Sequence, residues 1–205
     1  EEWSTITGLC YLDANQQYQD NGLARVLPFD QLVSPEKSEF FNWSKPFVQL
    51  ETTRGCFNTC AFCVSGGEKP VRTLSMEAIR QRLEIIYQHG IKNVRVLDRT
   101  FNFNPRRAKE LLQLFQEFHP HIRFHLEIHP ALLSEDLKTE LQQLPEGLLH
   151  LEAGIQSLRE PVLEKCKRLG KLNDALEGLQ FLCSLDNMET HADLIAGLPL
   201  YRLNE

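Results

Sequence analysis

The stretch that decides the fold is QLETTRGCFNTCAFC, residues 49–63. It places Cys56, Cys60 and Cys63 in the pattern C-x3-C-x2-C, directly after a strand-like segment at 47–53. The chain has six cysteines, so half of them fall within eight positions, and no fourth one is nearby. Such tight spacing, in a chain without export features, indicates metal or redox chemistry rather than disulfides.

The isolated cysteines are Cys10, Cys166 and Cys183. Free cysteine behaves as a small apolar residue and is among the most buried residue types. We therefore expect these three to be buried free thiols.

Outward from the cysteine motif, strand patterns alternate with helix patterns. Ser75 can cap a helix over 76–89, Asn104 and Pro105 open a second, and Ser134 can cap a third. The predicted strands are 47–53, 93–98, 122–128, 148–155 and 190–197, with further helical sequence between the last two. Alternation of this kind predicts an α/β fold with right-handed βαβ units and a parallel sheet. Five strands do not close an eight-stranded barrel, so we expect a partial (β/α) TIM-like barrel that is truncated at its C-terminus.

Residues 1–45 differ from the rest of the chain. They read as a linker or arm from a preceding domain, with prolines, no sustained period, and a small hairpin around Ala14 and Asn15. Residues 46–205 form the predicted core domain, which we expect to be incomplete.

The overall composition is that of an ordinary globular protein. The 205 residues are 42% hydrophobic and 24% charged, with a net charge of -6 and a pI of about 5.7. This balance argues against a surface that coats nucleic acid. We find no apolar run long enough to span a membrane and no secretory signal, which predicts a cytoplasmic protein.

Three thiolates without a close fourth ligand favour one metal chemistry over others. A structural zinc site needs four ligands, and the candidates here are remote: His89, Cys10 or Cys166. A [4Fe–4S] cluster normally takes four cysteines, so three would leave one iron open to a small molecule. A zinc-stapled scaffold and a non-catalytic iron–sulfur module remain as alternatives.

The motif and its surroundings resemble the radical S-adenosylmethionine (SAM) superfamily. The resemblance runs from about Phe47 to the end of the chain. It rests on ETTRGCFNTCAFC, with Phe62 before the last cysteine, and on VRVLDRTFN, LEAGIQSLREPVLEKCKR and ADLIAGLP at later strands. Within the superfamily the chain looks most like the radical domain of the cobalamin-binding group, whose best-known type is the anaerobic magnesium-protoporphyrin monomethyl ester oxidative cyclase.

The resemblance implies roles for individual residues. Cys56, Cys60 and Cys63 would ligate a [4Fe–4S] cluster, and SAM would chelate the fourth iron. The implied SAM contacts are Phe62 beside adenine, Asp98 and Thr100 near the amino group, Glu127, Gln156, Ser157 and Arg168 facing ribose and carboxylate, and Gly197 beside adenine. Many relatives carry a G-G-E motif at the second strand end, whereas this chain has it at 66–68, which we interpret as a decoy.

The residues support the same location without the family. Parallel α/β folds form ligand sites at the carboxyl ends of their strands, and these candidates all fall at or just past predicted strand ends. Carboxylates inside apolar strands are costly, so a site role is favoured for Glu127 and left open for Glu152. Alternation should point His125 and Glu127 to one side of the sheet. His119, His121, His125 and His129 are expected to be surface or core residues.

The resemblance predicts an enzyme that cleaves SAM reductively to a 5'-deoxyadenosyl radical. It would act as a cyclase-like oxidoreductase or as a cobalamin-dependent transferase, with cobalamin held by a domain outside these residues. The alternative within the superfamily is a methylthiotransferase or tRNA-modifying enzyme. A small-molecule substrate and an electron donor such as flavodoxin or ferredoxin are the expected partners.

Overall fold

The computed structural model describes residues 2–24, 29–66 and 69–201. The chain divides into two compact units, Glu1–Val33 and Ser34–Glu205. The first contains an antiparallel hairpin of β1 (Cys10–Leu12) and β2 (Tyr18–Asp20). The Asp13 carboxylate closes its turn by accepting from the backbone amides of Asn15 and Gln17.

The second unit contains a five-stranded parallel sheet. Within this sheet, each strand lies beside the sheet strand that follows it along the chain. The strands are β3 (Val48–Leu50), β6 (Asn93–Val96), β7 (Arg123–Ile128), β8 (Leu149–Gln156) and β9 (Glu189–Leu194). A short antiparallel pair, β4 (Thr53–Arg54) and β5 (Arg72–Thr73), lies outside this sheet. The prediction of parallel α/β architecture is confirmed, and the barrel is not closed.

In the described part of the second unit, five α-helices connect the strands. They are α1 (Met76–Gln88), α2 (Pro105–Gln116), α3 (Glu135–Gln143), α4 (Glu160–Lys165) and α5 (Leu172–Cys183). The predicted caps are present: Ser75, Asn104 and Ser134 each accept a hydrogen bond from a backbone amide in the first turn of their helix. Each cap satisfies an N–H group that the helix itself leaves without a partner.

The two faces of the sheet differ in character. Along β7 and β8 every second residue is buried, and all of these buried residues are apolar. The carboxylates of the two strands are not among them. Phe124 on this face stacks on Phe115 of α2, with ring centroids 4.0 Å apart. The opposite face carries His125, Glu127 and Glu152, which are partly exposed. The predicted common orientation of His125 and Glu127 is therefore confirmed, and the polar face is the one that a closed barrel would enclose.

The isolated cysteines do not behave alike. Cys166 is buried, as predicted, whereas Cys10 and Cys183 are exposed, so the prediction of burial is wrong for those two. Cys10 lies in a small two-stranded hairpin, which has too little surface to enclose a side chain. Within the described part of the chain, no helix is both long and apolar enough to cross a membrane.

Candidate active site

The cysteine loop leaves the sheet at the carboxyl end of β3. The β4–β5 pair joins Thr53 to Thr73 and Arg54 to Arg72, and so holds the two ends of the loop together. Gly55 begins the loop with φ of 100°, a conformation that glycine adopts without a steric penalty.

The loop is fixed to the sequence after β8. The Ala61 amide donates a 2.8 Å hydrogen bond to the carbonyl of Cys166 at the end of α4. Inside the loop, the Cys63 amide donates to the Cys60 carbonyl. A Cβ atom on Gly66 would lie 2.7 Å from that same carbonyl oxygen, so a larger residue would displace the turn. Local turns and one long-range contact thus set the positions of the thiols.

All three cysteines of the motif line one crevice at the carboxyl ends of the strands. Four of the other predicted site residues line it too: Thr100, Glu127, Gln156 and Arg168. Together with the cysteine loop, these residues come from five separate segments of the chain, and the parallel topology brings them to one edge of the sheet. Cys56 and Cys60 are buried, whereas Cys63 is exposed.

The three thiols of the motif are not arranged around one compact point. The sulfur atoms of the three cysteines do not all lie within 4.8 Å of one another. In a tetrahedral zinc site, Zn–S bonds of about 2.3 Å would place the sulfurs roughly 3.8 Å apart. Cys166, the buried cysteine nearby in the fold, is not among the residues that line the crevice. The described side chains of the crevice therefore offer three soft sulfur donors from one loop.

Arg168 connects the cysteine loop to β8. Its guanidinium donates a 2.7 Å hydrogen bond to the carbonyl of Gly154 and also contacts the Cys60 thiol. Burial raises the pKa of Cys60, and the contact with Arg168 offsets only part of that rise. Since metal ligands must be thiolates, binding at Cys60 must release a proton. The cation of Arg168 favours the ionised form.

Gln156 reaches the crevice through an irregular backbone. The pairing of β8 with β9 shifts register between Gly154 and Gln156, and Gln156 has φ of 70°. A side chain in the left-handed region is strained by about 1–3 kcal/mol. Gly154 makes room for it, because a Cβ at that position would overlap the Gln156 amide and lie 3.5 Å from Arg168.

Four predicted residues do not line the crevice. Asp98 is buried and accepts hydrogen bonds from the Thr52 amide, the Thr52 hydroxyl and the Thr53 amide. It therefore fixes the end of β3 to the end of β6, and burial raises its pKa. The other three are Phe62, packed with Val162, Cys166 and Leu198; Ser157, hydrogen-bonded to the Tyr201 hydroxyl; and Gly197, which has φ of 79°. Of the G-G-E motif, Gly67 and Glu68 lie outside the described residues.

Sequence reasoning missed several residues that line the crevice. They include Asn58, Arg99, His129, Gly154 and Asp193, and also Glu152, whose role was left open. Arg99 and His129 lie in segments just past strand ends, 98–102 and 127–129, that were expected at the crevice, although neither side chain was itself predicted to be a site residue. Asp193 and Glu152 follow the alternation of their strands toward the polar face. No local pattern indicated Asn58, because its side-chain oxygen accepts a hydrogen bond from the amide of Leu169, which is 111 residues away in sequence.

Carboxylates and histidines meet along the polar face beside the crevice. His125 lies 3.0 Å from the Glu152 carboxylate, and His150 lies 2.8 Å from His191. Hydrogen bonding to Glu152 raises the pKa of Asp193, so this carboxyl group holds its proton more firmly than usual. Burial also raises the pKa of Glu127, with a further contribution from Glu152. Acidic and imidazole side chains are thus hydrogen-bonded to one another along this part of the face.

The comparisons with known proteins agree with this geometry. The family model described as Radical SAM superfamily matches residues 50–201. The chain is 27% identical over 186 residues to tRNA-2-methylthio-N(6)-dimethylallyladenosine synthase of Acinetobacter baylyi, covering 83% of this chain and 36% of that protein. It is 25% identical over 161 residues to the cobalamin-dependent radical SAM methyltransferase TokK of Streptomyces tokunonensis, covering 75% of this chain and 24% of that one.

A solved structure shows the same fold. The cobalamin-dependent SAM radical enzyme OxsB, with aqua-cobalamin and SAM bound, superimposes with a TM-score of 0.71 at 16% identity, covering 95% of this chain and 30% of that one. In all three cases the chain spans little more than a third, or less, of the protein that it matches.

Proposed function

The chain belongs to the radical SAM superfamily, whose enzymes use a [4Fe–4S] cluster and SAM, and on that basis we propose that it forms the SAM-cleaving part of a transferase. Cys56, Cys60 and Cys63 would hold the cluster. When bound, the reduced cluster supplies the electron that breaks a C–S bond of the sulfonium, which leads to a 5'-deoxyadenosyl radical.

The chain's own residues would bind and orient SAM. Arg168 offers a cation for the carboxylate, and its second contact with Gly154 keeps it in place. Glu127 and Gln156 offer polar atoms for the ribose hydroxyls, and Thr100 lies at the end of β6, on the side proposed for the amino group. In this proposal the predicted residues that do not line the crevice stabilise its walls without contacting SAM. They are Asp98, Phe62, Ser157 and Gly197.

The observation that carries the proposal is the convergence of three cysteines on the crevice lined by Arg168, with no fourth cysteine among the described residues that line it. Anaerobic reconstitution with iron and sulfide should give a brown protein that converts SAM to 5'-deoxyadenosine when reduced. The variant Cys63→Ala should lose both the cluster absorbance and the product. Cys183→Ala removes an exposed thiol outside the crevice and serves as the matched control.

A zinc scaffold or an electron-carrying module would give a different result. Either one would leave SAM intact under reducing conditions, and the zinc scaffold would also remain colourless. A fully ligated cluster would show no change in its electron paramagnetic resonance spectrum when SAM is added.

The relatives favour a role as a transferase over a role as a cyclase-like oxidoreductase. The two curated relatives above transfer a methyl or a methylthio group according to their names, and neither is a cyclase. A porphyrin cyclase role would rest on the motif resemblance alone. Assaying the full-length protein for transfer of a labelled methyl group from SAM, against conversion of a porphyrin ester, would separate the two.

A methylthiotransferase is the second candidate, since one relative is named for that reaction on tRNA. The net charge of -6 argues against extensive phosphate contacts by this chain itself. We propose instead a small-molecule substrate, a flavodoxin or ferredoxin as electron donor, and cobalamin bound by another part of the full-length protein. Absorbance of cobalamin after anaerobic purification would test the last point.

A further inference from the structure

One buried histidine of the crevice makes no side-chain hydrogen bond with any residue that the structure describes. His129 follows β7, is only 3% exposed and lines the crevice beside the cysteines. Neither ring nitrogen, Nδ1 or Nε2, forms a well-aligned hydrogen bond with any described residue, and the nearest polar groups are backbone atoms of Leu169 and of His129 itself. A buried polar atom without a partner is costly, so native proteins nearly always satisfy such groups. We therefore expect the ring to form a hydrogen bond with a molecule that binds in the crevice.

The backbone fixes the position of this ring. The Asn102 side chain accepts from the His129 amide at 2.8 Å and donates to the His129 carbonyl at 2.9 Å. Gly170 packs against the ring, since a Cβ there would lie 3.4 Å from its Cε1. The histidine is thus held from its backbone and from one side of its ring.

The charge of the surroundings limits what the ring can bind. His129 shares the crevice with Arg168, and burial together with that cation keeps the imidazole neutral at physiological pH, with a pKa of about 3. A neutral imidazole has one N–H donor. An N–H donor and a guanidinium in one crevice suit an anionic acceptor such as a carboxylate.

We propose that His129 donates a hydrogen bond to the carboxylate of bound SAM, next to Arg168. The inference rests on the proposed function and adds a binding residue to it. A hydrogen bond to a charged group corresponds to an affinity change of about 10- to 100-fold.

The test is SAM binding by calorimetry to the anaerobically reconstituted protein. His129→Leu should bind SAM about 10- to 100-fold more weakly, and His129→Gln, which restores an N–H donor, should recover most of that loss. His121→Leu, at an exposed histidine, should bind as the wild type does. Circular dichroism and iron content would establish that each variant is folded and carries its cluster.

Two probes locate the bond on the ligand. S-adenosylhomocysteine keeps the carboxylate, and its affinity should fall in His129→Leu as that of SAM does. 5'-Methylthioadenosine lacks the carboxylate, and its affinity should not change. The proposal is overturned if His129→Leu binds SAM like the wild type, or if it loses both probes equally. It is also overturned if the variant only shifts the cluster's reduction potential, because His129 would then bond a cluster sulfur. Absence of SAM cleavage in the wild type would instead refute the proposed function.

Discussion

The ion pair between Glu36 and Arg82 allows a stability effect to be calculated from burial. The Glu36 side chain is fully buried and that of Arg82 is 11% exposed, and their closest oxygen and nitrogen lie 2.7 Å apart. Arg82 belongs to α1 and also donates to the carbonyl of Glu51, just after β3. The pair therefore ties the segment around Glu36 to the helix and to the strand that leads into the cysteine loop.

The variant Glu36→Gln should be strongly destabilised. It leaves the Arg82 cation buried without a counter-charge, and breaking such a pair costs about 3–5 kcal/mol. In a protein of this size that corresponds to a fall in melting temperature of about 6–20 °C. Replacing both residues, Glu36→Leu with Arg82→Met, should recover most of the loss, because a well-packed apolar pair often substitutes for a buried ion pair.

Urea unfolding of the three proteins measures these differences. The control is Glu117→Gln, which breaks the ion pair between Glu117 and Arg80 of α1. The side chain of Glu117 is 51% exposed and that of Arg80 is 39% exposed. Exposed pairs contribute about 0–1 kcal/mol. If Glu36→Gln costs no more than Glu117→Gln, or if the double variant is as unstable as the single one, burial is not the source of the effect and the reasoning is wrong.

Three further predictions follow from close contacts and from one shifted pKa. Gly178→Ala should destabilise the protein by about 1–3 kcal/mol in urea, because the new methyl group overlaps the Pro130 carbonyl, whereas helix propensity alone would give a stabilisation. Gly154→Ala should weaken SAM binding at least about tenfold by displacing Gln156, with little change in unfolding free energy; unchanged affinity would contradict that placement. Because His129 has a folded pKa of about 3 against 6.5 for the free residue, the unfolded chain takes up a proton first as pH falls. Stability should therefore drop between pH 6.5 and 3 by up to about 1.4 kcal/mol per pH unit, and a His129→Leu variant with the same slope would refute this.

Much of the fold could be predicted because its signals are local. Ser75, Asn104 and Ser134 each cap their helix by accepting a hydrogen bond from the amide three residues further on, so the sequence alone contains the interaction. The order of strands followed from their alternation with helices. The edge of the sheet that carries the crevice followed from the same topology.

The orientation of individual side chains could not be predicted so well. Asp98 was expected near SAM, yet it turns inward to Thr52 and Thr53, which are more than 40 residues away in sequence. His129 was expected to be an ordinary surface or core histidine, and only the structure shows that its buried nitrogens form no well-aligned hydrogen bond with any described residue. Both outcomes depend on contacts between distant segments, which no local pattern records.

The left-handed backbone at Gln156 has a consequence for engineering. Glycine at this position would relieve the backbone strain and should raise the thermal stability of the protein. It would also remove the side-chain amide of Gln156 from the crevice. A laboratory campaign that screens only for heat resistance would therefore tend to enrich a glycine at residue 156. Variants recovered from such a campaign should be sequenced at this codon before any loss of turnover is attributed to changes elsewhere.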